Sequence, residues 1–326
     1  STTDLIQSIV MTIALVVIVF FGVHVAGGWQ AVTENARSLE GYLSMTYLHD
    51  HATGTAVPYG TLNMLSMCAW GLGYFGMPHI LLRFMAIRDE KELAVSRRIA
   101  SVWVVISMFV AILIGIIGYG ASVAGKIPMF SSSAESETVI IRLSGLLGEY
   151  GFAASVIAGI VLAGILACTM STADSQLLTA ASGVSQNLLQ DFLKVRLSQR
   201  NSILAARLTI AAIAIVSLAL AWNPDSSVFY IVSFAWAGFG ASFGPVMLAA
   251  LFWKRSNFYG ALAGMLTGGI MVFVWKYLVR PMGGVWNIYE LLPAFLAACA
   301  AILLVSLLTR EPAKEIQEEY ESIKNK

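Results

Sequence analysis

Eight stretches of this chain stay apolar for about as long as a bilayer is thick: residues 4–26, 60–86, 99–124, 150–189, 203–222, 227–252, 258–279 and 287–309. A helix rises about 1.5 Å per residue, so roughly 20 residues cross a hydrocarbon layer some 30 Å thick. Strands of a membrane barrel would instead alternate apolar and polar residues over about ten positions. Composition agrees: 58% of the 326 residues are hydrophobic and only 12% are charged, about half the charged share of an ordinary soluble domain. The expected class is all-α, a polytopic membrane protein with about eight transmembrane helices. The fourth stretch is longer than a bilayer needs and is expected to project from it.

Residues 27–58 and 126–148 read as polar, partly amphipathic connectors, and residues 310–326 as a charged, soluble tail. The net charge of +1 points to no nucleic-acid partner. Cys68, Cys168 and Cys299 lie in apolar stretches without metal-ligand spacing, and are expected to be small buried hydrophobes. Alternating the sides of the spans places fifteen of the twenty Lys and Arg residues on one face of the membrane and five on the other. The basic side is expected to be cytoplasmic, which puts both the first residue and the tail there. Residue 1 is Ser and apolar helix follows at once, so the expectation is a chain cut from the middle of a longer one.

Polar groups inside the spans carry the chemistry. In "GILACTMSTADSQLLTAAS", residues 164–182, helical periodicity puts Cys168, Ser171, Thr172 and Ser175 on one face. Hydroxyl and carbonyl oxygens are hard ligands and suit a small hard cation, with further oxygens supplied by another helix. The plainer reading is that these hydroxyls bond back to their own helix or hold helices together. Asp174, an ionisable residue at membrane depth, marks function; it points away from the stripe, toward the cytoplasmic vestibule.

A second constellation is "AWGLGYFGMPHILLRFMAI", residues 69–87. Gly71, Gly73 and Gly76 followed by Pro78 loosen a helix, which at membrane depth is tolerated only where backbone is buried in protein or lines a cavity. Trp70, Tyr74 and Pro78, spaced four apart, are expected to share one face. They could hold a small amphipathic solute beside an unwound backbone, or merely pack a kinked helix against its neighbours. His79 reads as a packed histidine. In "STTDLIQ", Asp4 stands at the cytoplasmic entry of the first span with Gln7 a turn later, where a helix cap is the plain reading.

Taken together, these stretches resemble the solute:sodium symporter family, most closely its sodium/proline branch. "WGLGYFGMPHILLRFMA" is similar to that branch's "WGLGYFGQPHILVRFMA", with Met77 in place of Gln. "ACTMSTADSQLL" resembles the family's sodium-site helix, and "AWAGFGASFGPVML" and "ALFWKRSNFYGALAGMLTGG" are similar to further segments in the same order. The resemblance implies a LeuT-type fold of two inverted five-helix repeats, present here in part. Residues 1–309 would form the transmembrane domain, with 60–252 the second repeat, 258–309 peripheral helices and 310–326 a cytoplasmic tail. It implies Na+ bound by the Ser171 and Thr172 side chains and the Cys168 carbonyl, and solute lined by Trp70, Gly73, Tyr74, Met77 and Pro78. Asp4, Asp174 and Ser175 would belong to a second ion site or exit path.

The activity so implied is sodium-coupled symport of a small amino acid, L-proline first, across the cell membrane, without covalent chemistry. Its partners would be the solute, the lipid bilayer, and the missing N-terminal helices of the same protein or a companion chain. The alternatives are symport of another small organic solute or a transporter-like sensor subunit. A sensor calls for a signalling domain after the last span, where only the short tail stands. An intramembrane hydrolase calls for a base beside Ser171, and no histidine lies near it in sequence.

Overall fold

A computed structural model describes residues 2–222 and 227–324. The chain is helical almost throughout, as the apolar runs require: at membrane depth a backbone must satisfy its own hydrogen bonds. In order come α1 (Thr2–Val25), α2 (Trp29–Ser38), a hairpin of β1 (Tyr47–His49) and β2 (Ala56–Pro58), α3 (Thr61–Gly73), α4 (Pro78–Met85) and α5 (Glu90–Val123). Then follow α6 (Ser133–Ser136), α7 (Val139–Gly148), α8 (Phe152–Ser182), α9 (Gln199–Leu220), α10 (Val228–Phe252), α11 (Phe258–Val274), α12 (Leu291–Leu308) and α13 (Lys314–Lys324). Among the described residues, seven helices are long and apolar enough to cross a membrane: α1, α5 and α8–α12. The second predicted span, residues 60–86, is a broken pair, with α3 and α4 meeting at a bend of 51°. The fourth continues past Ser182 as a π-helix to Phe192, giving 41 residues, or roughly 60 Å at the α-helical rise.

The chain divides into two compact units. One gathers α1, α2 and α5–α9. Ile18, Ile114, Ile117 and Leu143 form its centre, each 1% exposed or less. The connector after α1 turns sharply at Gly27 and Gly28, both in left-handed backbone (φ 91° and 96°) that a side chain would strain. It then lays the amphipathic α2 against α5, burying Val32 and Ala36 one helical turn apart. Few residues of α5 and none in the apolar window of α9 are fully buried by the chain. Their open faces are stable where hydrocarbon or another apolar helix replaces water.

The second unit gathers α3, α4 and α10–α13. Here α11 packs at close range on α12 through Gly260 and Gly264 and on α10 through Gly268, one small residue per turn. A Cβ on Gly264 would sit 2.7 Å from Ile302 Cδ1, and one on Gly268 would sit 3.0 Å from the Ser242 nitrogen of α10. Asn257 caps α11 by accepting the Gly260 N–H at 2.9 Å, and donates to Arg310 O at 2.8 Å beyond the end of α12. Ion pairs from Arg255 to Glu311 and from Lys254 to Glu321 tether the tail helix.

The cysteine expectation is corrected. Cys68 and Cys168 are exposed and Cys299 is half-buried. An apolar stretch in a membrane protein need not turn its small residues inward, because hydrocarbon accepts them equally well.

Candidate functional site

The cation stripe lies on α8. The helix begins after Gly151, whose left-handed φ of 105° turns the chain out of the preceding loop. Its hydroxyls do bond back, as the plainer reading had it. Thr169 donates to Ile165 O at 3.0 Å, Thr172 to Cys168 O at 3.4 Å, Ser175 to Ser171 O at 3.2 Å and Thr179 to Ser175 O at 2.8 Å. This does not oppose cation binding. A hydroxyl that spends its proton on a carbonyl keeps its lone pairs, and those are what a cation needs. The longest of the four bonds joins the Thr172 hydroxyl to the Cys168 carbonyl, the two oxygens the resemblance assigns to one ion. Cys168, Thr172 and Asp174 are exposed, while Ser171 and Ser175 are half-buried.

Within the same unit α8 packs on α1. A Cβ on the buried Gly164 would lie 3.4 Å from Val10 Cγ1 and 3.8 Å from Ala14 Cβ. One turn before Val10 is Gln7, whose side-chain oxygen is buried with no hydrogen-bond partner among the described residues. An orphaned carbonyl oxygen is costly in an apolar interior, and it offers a further neutral ligand on the helix that faces α8. Asp4 lies inside the α1 helix and not at its cap, which removes the capping reading; its side chain lies outside the described residues.

The solute constellation lies in the second unit. α3 ends at Gly73, Tyr74–Gly76 form a 3-10 turn, and Met77 is extended (φ −81°, ψ 110°) before Pro78 opens α4. Pro at the first helical turn costs no hydrogen bond, and its fixed φ suits a helix start. The break corrects the expectation of one face for Trp70, Tyr74 and Pro78: an extended residue and a bend of 51° separate Pro78 from the other two. The glycines also divide their work. A Cβ on Gly76 would sit 2.8 Å from Gly240 Cα and 2.9 Å from the Gly244 nitrogen, and a Cβ on Gly73 would enter the indole of Trp236. These two let α10 cross the broken helix backbone to backbone, whereas Gly71 faces open space.

Trp70 lies in an aromatic stack. Its ring centroid is 5.5 Å from Phe229, 5.8 Å from Trp236 and 5.9 Å from Tyr289, all within 28° of parallel. Tyr74 meets Trp236 edge-on at 4.8 Å, and the Trp236 N–H donates to Trp70 O at 3.0 Å. Met77 is buried at 4% exposure, Pro78 and His79 are half-buried, and Tyr74 is exposed. Residue spacing missed Trp236, Phe229 and Tyr289, which come from distant segments. It also passed over Glu290, although a charged residue inside a predicted span is a standing signal for function.

A family model described as "Sodium:solute symporter family" matches residues 1–268. Three curated relatives align along almost the whole chain. The high-affinity proline transporter PutP of Bacillus subtilis is 36% identical over 98% of this chain and 63% of its own length. The osmoregulated proline transporter OpuE of the same organism is 35% identical, over 96% and 60%. The sodium/proline symporter of Haemophilus influenzae is 37% identical, over 98% and 62%. The chain thus spans about three-fifths of the length of these relatives.

Proposed function

The chain belongs to the sodium:solute symporter family, and from that premise we propose that it serves sodium-coupled symport of a small amino acid, L-proline first, into the cell. Na+ is carried on the Cys168 carbonyl and the Ser171 and Thr172 hydroxyls. Solute is held beside the broken helix by Trp70, Gly73, Tyr74, Met77 and Pro78. The interrupted span carries the reading: an extended residue at Met77 between two apolar helices is costly at membrane depth unless the freed backbone serves a cavity. The proline-transporter relatives supply the solute.

In this reading the two units contribute different ligands. Sodium on α8 stabilises the state that binds solute better, and by linkage solute strengthens sodium binding by the same factor. Rocking of one bundle against another then exposes the sites to the cytoplasm. Residues 60–252 form the second repeat of a LeuT-type 5+5 fold and residues 258–309 are peripheral. The first residue and the tail face the cytoplasm, and the helices of the first repeat complete the path. Asp4, Asp174 and Ser175 line a second ion site or the exit.

The test is uptake by the complete native protein in proteoliposomes, with a panel of labelled amino acids and an inward sodium gradient. Proline should accumulate with sodium and not with potassium. Equal uptake in both salts would sink the coupling, and preference for another solute would sink the assignment of proline.

A further inference from the structure

We propose that Glu290 is a positioning residue for the solute site: through a two-cation cluster it fixes the start of α12, and so holds the ring of Tyr289 against Trp70. The proposal rests on the reading of Trp70 as part of the solute wall. Glu290 is 1% exposed, and a buried carboxylate is tolerated only when paired. Arg280 Nη1 donates to it at 2.8 Å and Lys276 Nζ lies at 3.9 Å. Each cation is itself held. Arg280 Nε donates to Asn287 Oδ1 at 3.0 Å, and the Lys276 ammonium sits 3.9 Å above the Phe234 ring. The Trp275 N–H adds a bond to Ile288 O at 3.3 Å. Residues 287, 288 and 290 are therefore fastened to residues 275–280, just beyond the end of α11.

The adjacent Tyr289 points the other way, into the aromatic stack. Its backbone N–H donates to Ser66 Oγ at 3.1 Å and its hydroxyl to Ser233 O at 2.6 Å. Its ring lies 5.9 Å from Trp70 at 17°, and it is 6% exposed. From Trp70 the contacts continue to Trp236, whose indole covers Gly73 at the break. Glu290 is one residue from this wall, and its charges fix where that residue stands. Ring stacking alone would position Tyr289 less sharply, because stacked rings slide at little cost whereas a planar guanidinium held between Glu290 and Asn287 does not.

The experiment uses the complete native protein, purified and matched for folded fraction. In Glu290→Gln the proline Kd should rise about tenfold or more, while sodium affinity measured without solute should change less than about twofold, the pattern of one displaced wall rather than general loosening. Tyr289→Leu leaves the ion cluster intact and should raise the Kd equally. The double variant should add less than about threefold, since both act through one contact. A second readout needs no solute: the near-ultraviolet dichroism that depends on Trp70, taken as the difference from Trp70→Phe, should collapse in Glu290→Gln. If the parent binds no proline, the solute assignment fails and the dichroism alone decides the positioning. Should Glu290→Gln not fold, Arg280→Lys, which keeps the charge but loses the fork to Asn287, takes its place. Unchanged Kd together with unchanged Trp70 dichroism overturns the proposal, as do Glu290 and Tyr289 effects that multiply independently.

Discussion

Adding one methyl group to Gly73 tests whether the helix break is built by packing against α10. A Cβ there would lie inside the Trp236 indole, 2.8 Å from Cε2. That ring cannot swing away freely: it is bonded to Trp70 O at 3.0 Å, stacked on Trp70 and met edge-on by Tyr74. Overpacking of this kind costs about 1–3 kcal/mol. Losing the indole hydrogen bond adds about 1 kcal/mol, and a disturbed aromatic pair adds about 0.5–1.5 kcal/mol. The better helix propensity of Ala returns about 1 kcal/mol. Gly73→Ala should therefore destabilise by roughly 2–4 kcal/mol. Gly71→Ala, two residues away, meets nothing within 4 Å and should be neutral or stabilising by up to about 1 kcal/mol. Reversible unfolding of the complete native protein in mixed micelles, followed by near-ultraviolet dichroism, measures both. Truncating the indole in a Gly73→Ala, Trp236→Ala double variant should remove most of the Gly73 penalty. Equal shifts for the two alanines, or a Gly73 penalty that persists without the indole, would refute the packing argument.

Replacing either Ser171 or Thr172 with Ala removes one neutral oxygen from the cation stripe. Sodium affinity should fall by about 1–3 kcal/mol, or roughly five- to 150-fold, with solute affinity at saturating sodium changing much less; unchanged sodium dependence of proline uptake in the double Ala variant would overturn the ligand assignment. The loop before α7 should show an acid-sensitive contact. The Glu135 carboxyl is held below its ordinary 4.5, first by the Ser131 N–H at 2.9 Å and then by Arg142. A depressed folded value stabilises the loop fully above about 4.5, and that contribution disappears as pH falls through the folded value. Hydrogen exchange at Ser131, corrected for intrinsic rate, should therefore quicken on acidification in the parent and not in Glu135→Gln; parallel behaviour in both would refute it.

What the sequence by itself determined was where the helices run. Hydrocarbon thickness sets a length and the lack of water forbids an open backbone, so long apolar runs in this chain become long helices at nearly their predicted bounds. The loosened second span was legible for the same local reason, since Gly71, Gly73, Gly76 and Pro78 weaken a helix wherever they stand. The hydroxyl stripe of α8 was also visible, because helical spacing alone aligns Cys168, Ser171, Thr172 and Ser175.

The tertiary structure decided which side of each helix meets protein. Spacing could not separate Gly71, which faces open space, from Gly73 and Gly76, which admit α10. Nor could it place Trp70 in a stack with Phe229, Trp236 and Tyr289, or show that an extended Met77 splits Pro78 from Tyr74. Glu290 shows the limit from the other direction: its charge was plain in the sequence, but its partners Lys276 and Arg280 come from the far side of a turn. In a water-soluble chain, hydrophobicity separates inside from outside. In a bilayer, lipid and protein interior are equally apolar, so that signal vanishes, and close backbone approach and polar pairing take its place. Both depend on where another segment's atoms lie, which no local pattern encodes.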